Sequence, residues 1–243
     1  MPLHDLSLTD FETGQILLID KPLHWSSYQA VNAVKWGIKT KFNIKKIKVG
    51  HAGTLDPLAT GLLIICTGKF TKKISDYMGM EKEYTGTFTL GATTPTYDLE
   101  AAPENFQDIS HLTEDAINAA TAAFTGDILQ MPPQFSAIKK DGKRLYESAR
   151  LGIEVKVDPR KVNISEFVIT KIELPVVHFK VVCSTGTYIR SLANDFGAAL
   201  GVGSYMSSLC RTRIGNFNLA DAYSFESFES MVQSLHKNDH PEI

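Results

Sequence analysis

Glu83-Tyr84-Thr85-Gly86-Thr87-Phe88-Thr89-Leu90 alternates residue by residue, with Tyr84, Gly86, Phe88 and Leu90 on one side and the threonines on the other. A period of two over eight residues is the signature of a strand with one buried face. Working outward, Gly14–Asp20 and Leu62–Cys66 read as short buried strands, and Lys161–Lys171, Val176–Cys183 and Ser204–Ile214 as further strands. Between them, Ser26 or Ser27 caps a helix carrying Val31, Val34 and Ile38 at helical spacing, and Lys69–Met78 is a short helix. Thr113 caps an Ala-rich helix running to Phe124, Thr187–Leu200 places Ile189, Leu192 and Phe196 on one stripe, and a last helix covers Phe225–Leu235. Several strands follow one another with no helix long enough for a parallel crossover. The expectation is an α+β fold, a mixed, largely antiparallel central sheet with packed helices, forming one domain over residues 1–243 with a basic inserted loop at about 131–160.

The chain has 243 residues, of which 43% are hydrophobic and 21% charged, ordinary globular usage that excludes disordered and fibrous classes. No apolar run approaches the roughly 20 residues of a membrane span. The first 20 residues hold no Lys or Arg, which excludes a secretory signal. Three widely spaced cysteines without a Cys-x-x-Cys support neither a disulfide framework nor a zinc site. A cytoplasmic, soluble protein with no membrane partner and no metal is expected. The net charge of −2 conceals segregation: Lys21–Leu55 has seven lysines and no acid, Tyr84–Ile138 has seven acids and no Lys or Arg, and Lys139–Lys161 has eight basic residues against four acids. Two basic stretches form either solvated faces or the footprint of a nucleic-acid partner.

The segment Gly50-His51-Ala52-Gly53-Thr54-Leu55-Asp56-Pro57-Leu58-Ala59-Thr60-Gly61 has no helical period and reads as a loop. Pro57 holds Asp56 extended, so one carboxylate is presented on a stiff loop feeding a buried strand. That carboxylate either caps a neighbouring backbone group or faces a substrate. The whole string resembles the catalytic loop of the TruB family of tRNA pseudouridine synthases. The motifs Asp20-Lys21-Pro22, Lys82-Glu83-Tyr84, Met131–Ala137 with Gly142–Tyr146, and Cys183–Leu192 resemble the family's other motifs, in the family's order.

The resemblance implies the pseudouridine synthase catalytic fold. It also implies isomerisation of uridine to pseudouridine at position 55 in the T-loop of tRNA, with no cofactor, metal or guide RNA. Asp56 is then the essential carboxylate, Arg190 sits against it and favours its ionised form, and Tyr84 stacks on the target uracil. Tyr188 and Leu209 line the uracil pocket. His51 fills the gap left when the base is flipped out. Lys21, Lys72 and the lysines at 139, 140 and 143 are expected phosphate contacts. A monomer acting on the tRNA T-arm is expected. Only 26 residues follow Phe217, too few for the family's C-terminal RNA-binding (PUA) module. His24 stands where the family commonly has Gly, Pro95 where Asp is frequent, and Cys210 where a basic residue is common. The competing reading is a non-catalytic RNA-binding or tRNA-folding protein. A guide-dependent synthase and a nucleoside glycosidase fit less well, the latter for want of a second motif-borne carboxylate.

Overall fold

A computed structural model of the chain describes residues 6–136, 139–140, 143–145, 147, 151–153 and 155–235, which fall into two units: Met1–Lys82 with Cys210–Ile243, and Glu83–Leu209. In the first unit, a short helix α1 (Leu8–Thr13) precedes strand β1 (Ile16–Lys21). Helix α2 (Ser27–Phe42) starts as expected, on a capping box in which Ser26 and Gln29 satisfy each other's backbone N–H groups. It ends on Asn43 in the left-handed conformation. Strands β2 (Val49–His51) and β3 (Ala59–Thr67) pair antiparallel, with Val49 opposite Thr67 and His51 opposite Ile65. The start of the expected loop is therefore a strand. Strand β1 pairs with β3 from Ile16–Cys66 to Lys21–Gly61. A 3-10 segment, Gly68–Lys73, then leads into α3 (Ile74–Gly79).

The second unit begins with the alternating strand, β4 (Lys82–Leu90), whose buried Phe88 stacks on Phe179 at 4.2 Å. Thr113 caps α4 (Glu114–Ala120), and β5 (Gly126–Gln130) follows. β6 (Lys139–Lys140) and β7 (Lys143–Arg144) make a two-residue antiparallel pair within the expected basic insertion; Ala137, Gly142 and Tyr146 of that insertion lie outside the described residues. β8 (Arg160–Glu173), β9 (Val176–Cys183), α5 (Ile189–Ala199) and β10 (Ser204–Ile214) complete the unit, and the C-terminal part of β10 belongs to the first. Here the strand order is β10-β4-β9-β8-β5, with antiparallel β5–β8 and β8–β9 pairs. Phe88, Phe167, Phe179 and Phe196 form its aromatic core.

Back in the first unit, β3 neighbours β10, which pairs with β11 (Phe217–Asn218), and α6 (Phe225–Ser234) closes the described chain. Strand β3 is apolar on both faces. Leu63 and Ile65 pack with Val34 and Ile38 of α2 and Phe228 of α6, while Leu62, Ile64 and Cys66 pack with Ala52 and Ile214. No described helix is long and apolar enough to cross a membrane.

At Gly61, β3 lies tightly against β10. The glycine's φ is +99°, and a Cβ there would lie 2.4 Å from the Arg211 carbonyl oxygen. Gly61→Ala is expected to lower the unfolding free energy by about 2–4 kcal/mol, from the left-handed backbone and the backbone clash together. Urea denaturation measures it, and a loss below about 0.5 kcal/mol would show that the strands part at little cost.

Candidate active-site loop and buried arginine cluster

The Asp56 loop is fastened from below. Ser27, the first residue of α2, accepts the Leu55 N–H at 2.8 Å and donates its hydroxyl to the Leu55 carbonyl at 3.0 Å. The His24 N–H donates to the Pro57 carbonyl, and the Ala59 N–H to that of Asp56. Arg211 on β10 is 1% exposed and donates to the carbonyls of Leu62 on β3 and Gly53 in the loop, at 2.8 and 3.1 Å. The Asp56 carboxylate is thus carried on a segment whose backbone is tied to α2, to β3 and to the turn after β1.

Lys21 departs from its expected place at a phosphate. It has no exposed surface and donates Nζ to the carbonyls of Pro22 and Trp25, at 2.9 and 2.6 Å. A side chain so enclosed supports the turn and the loop. Burial pushes its pKa down to about 8; the Asp56 and Asp20 carboxylates counter that shift and the Arg211 guanidinium adds to it. His51 ends β2 and is half-buried. Burial is the main cause that holds its pKa below the ordinary value, so its ring is neutral at pH 7. Lys72 is exposed on the 3-10 segment.

The other expected residues lie in the second unit. Tyr84 is buried on β4, and Leu209 is buried on β10. Tyr188 immediately precedes α5, and its backbone is held at both ends by Gln130, which accepts its N–H at 2.8 Å and donates to its carbonyl at 3.0 Å. Arg190 is 6% exposed and donates to the carbonyls of Thr96 and Phe135, at 3.2 and 2.9 Å. Its Nε lies 3.6 Å from Oδ2 of Asp98, a carboxylate that is 1% exposed. The hydroxyls of Thr94 and Thr96 donate to the Asp98 carbonyl, and Asp98 Oδ1 accepts the Glu100 N–H. Tyr97 beside it takes a left-handed φ of 62°, and its carbonyl accepts the Met206 N–H on β10.

Asp98 and Arg211 are thus structural partners that no sequence motif singles out, and Ser27, an alternative cap for α2 in the sequence, instead holds Leu55 while Ser26 caps the helix. Asp98 sits in an acid-rich run without a motif of its own, and Arg211 gains meaning only from carbonyls distant in the chain.

Two outcomes follow from these buried ions. Asp98→Asn removes the charge of a carboxylate buried against the Arg190 guanidinium, and urea denaturation should show a loss of about 3–5 kcal/mol. Lys21 binds its proton more weakly in the folded chain, at about 8, than at its ordinary 10.5. Below about pH 8 both states are protonated and the cost of burying the cation is fully present. Between there and 10.5 the folded state sheds the proton first, so this group adds stability as pH rises. The stability of wild type minus that of Lys21→Met should therefore increase from pH 7 to pH 10; a flat difference would contradict the buried-cation account.

A family model described as TruB family pseudouridylate synthase (N terminal domain) matches residues 39–189, and one described as tRNA pseudouridylate synthase B C-terminal domain matches residues 190–242. The chain is 56% identical to a tRNA pseudouridine synthase B of Flavobacterium johnsoniae, over 92% of this chain and 98% of that one. It is 48% identical to the protein of the same name in Phocaeicola vulgatus, over 90% and 93%. Among solved structures, a chain of a Cbf5-Nop10-Gar1 complex superposes with a TM-score of 0.69 at 29% identity; the match covers 95% of this chain and 56% of that one. With a family model matching most of its length and relatives near half identity across nine-tenths of it, the chain belongs to the TruB family of pseudouridylate synthases.

Proposed function

We propose that this protein isomerises uridine to pseudouridine in the T-loop of tRNA, at position 55, as a guide-free monomer in the cytoplasm. The observation that carries the reading is the Asp56 loop: one carboxylate stiffened by Pro57, tied down through Leu55 and Gly53, and backed by the buried cations Lys21 and Arg211. In the reaction the C1′–N1 bond breaks, the uracil turns, and a C1′–C5 bond forms. The C5 hydrogen leaves to solvent and N1 takes up a proton, so no electron acceptor is consumed. Asp56 acts at the ribose or the base, Tyr84 stacks on the uracil, and Arg190 favours the ionised carboxylate. Tyr188 and Leu209 line the pocket. A neutral His51 ring suits insertion into the stack vacated by the flipped base, since no charge has to be desolvated. Lys72 and the lysines at 139, 140 and 143 contact phosphates. Supporting the stand-alone reading, identity is 56% and 48% to relatives named tRNA pseudouridine synthase B, against 29% to the matched chain of the Cbf5-Nop10-Gar1 complex.

The test is tritium release from C5-labelled uridine in a T-arm hairpin RNA. Wild type should release tritium without any guide, and Asp56→Asn should release none while binding the hairpin within about threefold of wild type, as expected when a group acts mainly in the transition state. Binding by both with release by neither, full-length tRNA included, would turn the assignment to an RNA-binding protein.

A further inference from the structure

Away from the Asp56 loop, the first unit builds a second feature, of which only Lys72 has been given a part above. A cavity of about 650 Å³ is lined by seven lysines, at 35, 39, 45, 46, 48, 69 and 72, with Glu12 as its one acid. Three chain segments supply these lysines: the last two turns of α2, the connection to β2, and the 3-10 segment after β3. Pairing of β2 with β3 brings the last two together. Val49 lies opposite Thr67, and the Gly68 N–H donates to the Lys48 carbonyl at 2.9 Å. Residues some twenty positions apart in sequence thereby face one space.

Such a cluster has a cost, because like charges around one concavity repel. Lys39 complements the carbonyl end of α2. Lys72 stands in the last turn of the 3-10 segment, Lys45, Lys46 and Lys48 lie outside any helix, and among the described residues none of the cavity's lysines forms an ion pair. By contrast Lys161, Lys171 and Lys180 of the second unit each hold a carboxylate within 3.5 Å. The lining contains one large apolar side chain, Ile47, and it is buried, so the cavity offers nothing to insert into a bilayer. A partner that brings several closely spaced negative charges and needs no apolar contact is a nucleic-acid backbone.

We propose that this lysine-lined cavity is a docking site for the RNA phosphodiester backbone, separate from the residues that act on the uridine. The proposal rests on the reading that the substrate is RNA. Strand β2 connects the two places directly: Lys48 at the cavity lies three residues, roughly 10 Å at strand rise, before His51. Phosphates flanking a nucleotide drawn toward the loop fall within that reach. Contacts of this kind position the RNA and carry no sequence information.

The experiment compares the triple variant Lys39→Gln/Lys45→Gln/Lys46→Gln with the triple control Lys161→Gln/Lys171→Gln/Lys180→Gln, which changes net charge equally. Binding to a T-arm hairpin and to an unrelated hairpin of equal stem length is measured by fluorescence anisotropy across a salt series. Tritium release is followed under single-turnover conditions, and circular dichroism checks folding. The cavity variant should lose roughly 10–100-fold in affinity for both hairpins at 100 mM salt, and its salt slope should shrink by about 2 to 3. The control should change less than about threefold in affinity, since its lysines are already paired. Release by the cavity variant at saturating hairpin should stay within about threefold of wild type, separating docking from chemistry.

Unchanged affinity and slope in an active wild type would overturn the docking site and leave the synthase reading standing. Equal losses in cavity and control variants would overturn it in favour of a net-charge effect. A loss confined to the T-arm hairpin would overturn it in favour of base-specific contacts. If wild type releases no tritium while the cavity variant still loses binding, the docking site stands and the synthase reading fails.

Discussion

Two cations without appreciable solvent exposure lie beneath the Asp56 loop, and the first unit is organised around keeping them there. Lys21 and Arg211 repel one another, and each loses its hydration on burial. Replacing such groups by apolar ones is commonly neutral or stabilising. Their backbone partners show what the arrangement gives in return. The four carbonyls they engage, from Pro22, Trp25, Gly53 and Leu62, belong to the turn after β1, to the loop and to β3. Desolvated cations thus hold three chain segments in one geometry and set positive potential behind a single carboxylate. Asp56 is itself one of the groups that keep the Lys21 proton in place, so the loop's charge and the loop's support are coupled.

That coupling explains what could and could not be seen in the sequence. Strands β9 and β10 have the bounds that alternation and apolar runs suggest, and α2 begins at its serine cap. Elements that pattern reading misses are short or lack an apolar stripe. α1 has six residues, β2 has three, and β5 is mostly half-exposed or exposed along its length. At the site the same divide holds. His51 and Asp56 are legible because a rigid, glycine-bounded loop is a local property. Lys21 is legible as a basic residue but not as a buried one, since lysine by itself reads as surface. Asp98 and Arg211 are silent in sequence, and Ser27 reads only as a helix cap, because their roles consist of tertiary ion-pair and hydrogen-bond contacts.

Residues 24, 95 and 210, the positions expected to differ from the family pattern, separate constraints of backbone shape from constraints of side chain. His24 has a φ of 67°, the left-handed region in which glycine is at ease and a Cβ costs about 1–2 kcal/mol. The conformation is one that glycine would suit, and histidine is held in it by its N–H, which is committed to the Pro57 carbonyl. Pro95 lies between Thr94 and Thr96, whose hydroxyls both donate to the Asp98 carbonyl. The turn that presents Asp98 to Arg190 is thus fixed by its threonines and by the strained backbone of Tyr97, and residue 95 is not among the groups that bond it. Cys210 sits half-buried next to Arg211, where Thr60 hydrogen-bonds its thiol and burial keeps that thiol protonated. At none of these three positions does a buried charge depend on the side chain, whereas Lys21 and Arg211 are tied to buried carbonyls, Asp56 to the Lys21 charge and Asp98 to that of Arg190.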